Sequence, residues 1–176
     1  AEALDCYTMA ITLKSNNPRY YFARGNTYRI VNEYNKAILD YSSAIRLDSG
    51  TANYYSNRGQ SYRKIGKPQV ALNDFEAALA LEPGNTSLFF HRGMAFYDCG
   101  LYQKAIKDFT TALKDKKFTY RAYYNRGNCY RRLKQLDQSI DDLSQALNLE
   151  PRNPSAHNNL GLSFFENKNY DSAILK

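Results

Sequence analysis

The sequence predicts an all-α fold, a row of antiparallel helix pairs, and three observations carry that reading. A block of 34 residues recurs along the chain, with Gly25, Gly59, Gly93, Gly127 and Gly161 each 34 apart. Within every block the apolar residues fall at helical spacings on two separate stripes. Nine glycines and five prolines in 176 residues are too few for the turns of a β-rich chain of this length. A period of this size marks a repeat array, in which one block cannot bury its apolar face alone and does so against the next.

The first stripe surrounds the glycine. Four residues before it stand Tyr21, Tyr55, Phe89 and Tyr123, then His157; three after it stand Tyr28, Tyr62, Phe96, Tyr130 and Phe164. Offsets of −4, 0 and +3 share one side of a helix. The second stripe is Ala37, Ala71, Ala105, Ser139 and Ala173 at +12, Tyr41, Phe75, Phe109 and Leu143 at +16, and Ala44, Ala78, Ala112 and Ala146 at +19. That i, i+4, i+7 spacing is a second helix. A short turn separates the two, as in Val31-Asn32-Glu33-Tyr34 and Asp98-Cys99-Gly100-Leu101. Glycine inside a helix costs roughly 1 kcal/mol against alanine, so its recurrence marks a place where a neighbouring helix comes close.

In chain order, helices are expected near 2–14, 19–31, 35–47, 53–65, 69–81, 87–98, 103–115, 121–133, 137–149, 155–167 and 171–176. Asn17-Pro18 and Asn153-Pro154 read as an asparagine cap followed by proline in the first turn. Glu82-Pro83 and Glu150-Pro151 stop second helices, and Pro68 stands at the entry to another, where a missing N–H is harmless. Lys114-Asp115-Lys116-Lys117-Phe118-Thr119 lacks the Leu81 and Pro83 of the preceding block and is expected as a solvated basic turn.

This recurring aromatic, Gly, aromatic, Ala, aromatic, Ala and Pro pattern at a 34-residue period resembles the tetratricopeptide repeat over the whole chain. Tyr or Phe stands where that family often has Trp, and Arg replaces its usual Leu before the glycine. The resemblance implies a right-handed superhelical solenoid of antiparallel helix pairs. It also implies a concave face lined by the first helix of each pair, which holds a peptide segment or helix of another protein, and no catalytic activity. The expected division is 1–17 as the second helix of a truncated repeat, complete repeats at 18–51, 52–85, 86–119 and 120–153, and a truncated repeat at 154–176. Neither end has a polar cap, with Leu160, Phe164 and Ile174 left facing nothing, so the chain reads as a piece of a longer protein or as an array that continues or self-associates.

The formal charge is +7, from 24 Lys+Arg against 17 Asp+Glu, which on its own suits an acidic partner or a nucleic acid. The most conspicuous basic column, Arg24, Arg58, Arg92 and Arg126, has a structural explanation. Asp40, Asp74, Asp108 and Asp142 stand sixteen residues after these arginines, and in the last block both types are lost together, to Leu160 and Lys176. Four Arg–Asp pairs tying the two helices of each repeat are therefore expected, and the basicity open to a ligand must lie elsewhere.

It lies on the other side of the first helices, at offsets −6, −3, −2, +1 and +4. The candidate ligand groove there comprises Arg19, Phe22, Asn26, Arg29, Asn57, Gln60, Arg63, Phe90, His91, Tyr97, Arg121, Tyr124, Asn125, Asn128, Arg131 and Asn159. Asparagine both donates and accepts, so it can pair with a peptide backbone whatever its side chains. Asn57, Asn125 and Asn159 resemble the asparagine ladder of some family members. Arginine suits acidic side chains or a terminal carboxylate, and Phe22, Phe90, Tyr97 and Tyr124 supply apolar anchors. The lysine-asparagine-arginine clamp by which some members hold a chaperone's acidic C-terminus is not met, because −3 is Phe22, Ser56, Phe90, Tyr124 or Asn158.

The leading expectation is thus a protein–protein interaction scaffold or adaptor for an extended or helical, acidic segment. Single-stranded RNA binding through Tyr and Arg is the alternative, although one-base-per-repeat helical codes favour a period of about 35 residues. An enzyme is not expected. His91 and His157 are explained by repeat phase, and Asp98 and Glu166 stand on exposed phases without a partner. Cys6, Cys99 and Cys129 are odd in number and scattered, which argues against a disulfide framework and for an intracellular, cytoplasmic setting. No zinc, nucleotide or other cofactor signature, secretory leader or membrane-spanning run is read in the sequence.

Overall fold

A computed structural model describes residues 2–167. The helix expected near 171–176, with Ala173, Ile174 and Lys176, lies outside them. The helices are α1 (Glu2–Leu13), α2 (Pro18–Ile30), α3 (Tyr34–Leu47), α4 (Ala52–Lys64), α5 (Pro68–Leu81), α6 (Thr86–Asp98), α7 (Tyr102–Ala112), α8 (Thr119–Arg132), α9 (Leu136–Leu149) and α10 (Pro154–Glu166). No strand occurs among the described residues, and none of the described helices is long and apolar enough to cross a membrane.

The chain divides into two compact units, Ala1–His91 and Arg92–Lys176. In the first, α1 packs on α2, α2 on α3, α3 on α4 and α4 on α5. Its core is the second stripe read from the sequence: Ala37, Tyr41, Ala44, Ala71, Phe75 and Ala78 are all fully buried. Ala52, Ala78, Leu79 and Leu88 then join α4 and α5 to the start of α6, with Tyr55 and Phe89 packed on the cluster. In the second unit α7 packs on α8, α8 on α9 and α9 on α10. Ala105, Phe109, Ala112 and Ala146 are buried there, while Leu143, Leu147, Ala156 and Leu160 form a cluster flanked by Tyr124, Ile140 and Phe164. Each large side chain buried in this way stabilises the fold by about 1.5–3 kcal/mol.

Small residues let these rings in. A Cβ on Gly25 would stand 2.8 Å from the Tyr41 ring, so the close crossing of α2 and α3 requires glycine there. The helix ends follow the sequence closely. The Asn17 side chain accepts from the Arg19 N–H, and that of Asn153 from the Ala156 N–H. The turn inside each pair has a feature the repeat pattern leaves unmarked: Asn32, Gly66, Gly100 and Lys134, 34 apart, all have positive φ between 59° and 74°. Left-handed backbone suits Gly and Asn and costs lysine about 1 kcal/mol or more.

The basic turn departs from expectation. α7 ends at Ala112, three residues early, and a 3₁₀ turn spans Lys116–Phe118 with the Asp115 side chain accepting from the Lys117 N–H. Lys114, Lys116 and Lys117 are solvated, but Phe118 is buried.

Candidate functional site

The arginine beside each of Gly25, Gly59, Gly93 and Gly127 is held by more than one bond. Arg24 donates from Nε and Nη2 to Oδ2 and Oδ1 of Asp40 at 2.9 and 2.8 Å. Arg58 does the same to Asp74, Arg92 to Asp108 and Arg126 to Asp142, all between 2.7 and 2.9 Å. This two-point fork joins the first and second helices of a repeat and fits the planar guanidinium. The aspartates are buried. The bonds to aspartate hold Arg24, Arg58 and Arg126 above the usual arginine range against the cost of burial. Burial pushes the carboxyls of Asp74 and Asp142 up, and their arginines pull back. Aromatic rings flank the fork: Arg24 lies over Tyr21, Arg58 over Tyr55, and Arg126 over Tyr123 and Tyr130, a favourable cation–ring contact. The remaining Nη1 reaches back to the previous repeat, from Arg24 to Thr8 Oγ1, from Arg58 to Ser42 Oγ and from Arg126 to Thr110 Oγ1, at 2.9 to 3.1 Å.

The opposite side of the first helices carries the predicted groove residues. In the first unit Arg19 is exposed, and Arg29, Gln60 and Arg63 are half-buried on α2 and α4. Asn26 and Asn57 are joined: Asn57 Nδ2 donates to Asn26 Oδ1 at 2.9 Å, and the same oxygen accepts from the Tyr41 hydroxyl at 2.9 Å. Gln60 Nε2 stands 3.4 Å from both Asn57 Oδ1 and Ser56 Oγ. Phe22 packs its ring against Tyr41 and Tyr54, and His91 stacks on Phe75. Phe90 is only 1% exposed. Its ring contributes to the core and cannot anchor a ligand as expected, because α6 turns the −3 position inward.

In the second unit the same asparagine link recurs. Asn159 Nδ2 donates to Asn128 Oδ1 at 2.8 Å and to the Tyr124 hydroxyl at 3.0 Å. Asn128 is buried, so its carbonyl serves the next repeat and is not presented. Asn125 turns its amide back to the Arg121 carbonyl at 2.7 Å. Arg121 is exposed and Tyr97 half-buried, edge-on to Tyr102. Arg131 Nη1 and Lys134 Nζ both reach Glu166, each at 2.8 Å. Glu166 therefore has partners, contrary to the sequence reading, and the bonds from Lys134 and Arg131 hold its carboxyl below the usual range. No group of three or more His, Cys, Asp or Glu that could hold a metal occurs among the described residues.

The repeat geometry and the sequence profiles agree. Profiles described as TPR repeat match residues 25–66 and 127–168, and others described as tetratricopeptide repeat match 52–85 and 91–147. The chain belongs to the tetratricopeptide repeat family. No curated protein sequence matches it. Among solved structures, MamA residues 41 to the end from Desulfovibrio magneticus RS-1 are similar at a TM-score of 0.84 and 19% identity, over 89% of each chain. YrrB, described as a TPR protein with an unusual peptide-binding site, is similar at 0.79 and 24% identity, over 95% of this chain and 86% of that one. The Cut9–Hcn1 hetero-tetramer of APC/C is similar at 0.78 and 25% identity, over 95% of this chain and 34% of that one. As a tetratricopeptide repeat array the chain has the fold of a protein–protein interaction scaffold.

Sequence reasoning missed three sets of contacts in this array. The hydroxyls of Thr8, Ser42 and Thr110 stand sixteen residues before Arg24, Arg58 and Arg126, a spacing that could have marked them. The Asn26–Asn57 and Asn128–Asn159 links share a separation of 31 residues, which joins two different columns and leaves no mark within either. Glu166 shares its repeat column with Asp98, and each stands 35 residues after an arginine, Arg131 and Arg63, a spacing that could have marked the pairing of Glu166.

Proposed function

We propose that the first-helix face of this array binds an extended, acidic segment of another protein, and that the chain acts as an assembly scaffold or adaptor. The observation that carries this reading is the division of the arginines. Arg24, Arg58, Arg92 and Arg126 are each committed to an aspartate, whereas Arg19 and Arg29 on α2 form no ion pair with any described residue. Positive charge on this face is therefore surplus to what holds the fold. The Asn26–Asn57 and Asn128–Asn159 links fix polar groups in place, so little ordering entropy is lost when a peptide backbone arrives. A peptide-binding site in YrrB, similar over nearly the whole chain, supports the same reading.

The test is a peptide array of mixed net charge, probed with the wild-type chain and with an Arg19→Glu/Arg29→Gln variant. The wild type is expected to retain acidic sequences, and the variant to lose them. Retention that ignores the substitution, or that follows basic sequences, would contradict the proposal. An RNA oligonucleotide titrated in parallel is expected to bind weakly. Tight binding that falls steeply with salt would favour nucleic acid instead.

A further inference from the structure

The two compact units carry the same arginine in different company. Arg29 and Arg131 both stand four residues after their repeat glycine. Each has a buried Nε without an acceptor. Arg131 is satisfied at its other end by Glu166, which comes from the first helix of the following repeat, 35 residues on, and which also binds Lys134. Thirty-five residues after Arg29 stands Lys64. In place of the carboxylate, the first unit has a second cation. Arg29 has no ion pair among the described residues; its guanidinium lies beside the Tyr41 hydroxyl and holds that phenol back against the rise that burial imposes.

A half-buried guanidinium with a like charge at its carboxylate position is electrostatically incomplete. Its neighbours are in place for a ligand: Tyr41 is fixed by its bond to Asn26, and Asn26 by its bond from Asn57. We propose that Arg29, with Lys64, is a carboxylate-binding subsite for the partner peptide, and that a ligand's carboxylate pairs with Arg29 there as Glu166 pairs with Arg131. The Arg131–Glu166 pair shows an arginine of this phase with its carboxylate in place; the first-unit counterpart of Lys134 is Asn32, so the second cation beside Arg29 comes from the following repeat, as Lys64. The subsite rests on the reading of the first-helix face as a peptide site. It adds the chemistry recognised and the residues that recognise it. An Asp or Glu side chain and a peptide C-terminus offer the same group.

The experiment titrates the chain with a tetraglutamate peptide blocked at both ends, its tetraglutamine counterpart, and tetraglutamine with a free C-terminus. The Arg Nε–Hε resonances are followed by NMR. Blocked tetraglutamate is expected to shift the Arg29 resonance saturably and to bind about tenfold or more tighter than blocked tetraglutamine. If the free C-terminus restores the shift, the site reads a terminal carboxylate; if it does not, the site reads acidic side chains. Lys64→Glu supplies the missing internal carboxylate at an exposed position, and it should abolish the Arg29 response while circular dichroism stays unchanged. Arg29→Gln should weaken binding about tenfold. Equal binding of blocked tetraglutamate and tetraglutamine, or undiminished binding by Lys64→Glu and Arg29→Gln, would overturn the subsite and leave the peptide-binding reading standing. Absence of any response on the first-helix face to all three peptides would overturn both.

Discussion

Arg58 and Asp74 are tied by two hydrogen bonds of 2.9 and 2.7 Å, and the same guanidinium donates at 3.0 Å to Ser42 of the preceding repeat. One side chain thereby links α3, α4 and α5. Because Asp74 is buried, removing one partner strands a charge, and Arg58→Leu or Asp74→Asn is expected to cost about 3–5 kcal/mol. The Arg58→Met/Asp74→Leu double variant should recover much of that loss. Urea unfolding of the three variants measures it; additive losses in the double variant would show that the pair is not a unit.

The same pair sets a pH dependence. Burial raises the Asp74 carboxyl, and Arg58 is the group that pulls it down. In Arg58→Leu the upward shift grows. A carboxyl raised on folding contributes stability that is present below its unfolded value, about 3.9, and is lost as pH rises through the folded one. The loss caused by Arg58→Leu is therefore expected to be greatest near neutral pH and to shrink as the solution is acidified through the raised value. Unfolding midpoints of both proteins compared at each pH check this; a deficit that widens toward acid would contradict it.

Lys134 occupies a left-handed turn position with φ 59°, where two of its three counterparts are glycine. Its ammonium is largely exposed, so its bond to Glu166 contributes little. Lys134→Gly should raise stability by about 1 kcal/mol, read as a higher denaturation midpoint. A lower midpoint would show that the Glu166 contact outweighs the backbone cost.

At Gly25 the balance runs the other way. Alanine favours a helix by about 1 kcal/mol, yet its methyl would meet the Tyr41 ring at 2.8 Å, and Tyr41 is fully buried and tied by its hydroxyl to Asn26. Overpacking of this kind costs about 1–3 kcal/mol, so Gly25→Ala is expected to be destabilising on balance. Thermal unfolding decides the sign.

The backbone of this array was legible because it repeats. One glycine in 34 residues, with rings at fixed offsets, locates ten described helices to within a few residues, and the covariation of Arg and Asp across four blocks pointed to the pairs. What was not legible broke the repeat or crossed between repeats. Phe118 is buried at a phase where other blocks have no aromatic. Phe90 shares its column with Ser56 and Tyr124, and only the packing of α6 decides that its ring turns in. The bonds from Asn57 to Asn26 and from Asn159 to Asn128 span successive repeats and join two different columns, so neither column alone carries a sign of them.

Amide chemical-shift mapping tests the central claim, that the first-helix face is the ligand surface, most directly. An acidic peptide selected from the array is titrated into the labelled chain. The account predicts saturable shifts concentrated on α2, α4 and α8, around Arg19, Arg29, Gln60 and Arg121, with the outer faces of α3, α5 and α9 unmoved. Shifts confined to those second helices, around residues such as Leu39, Glu76 and Asp141, would contradict it.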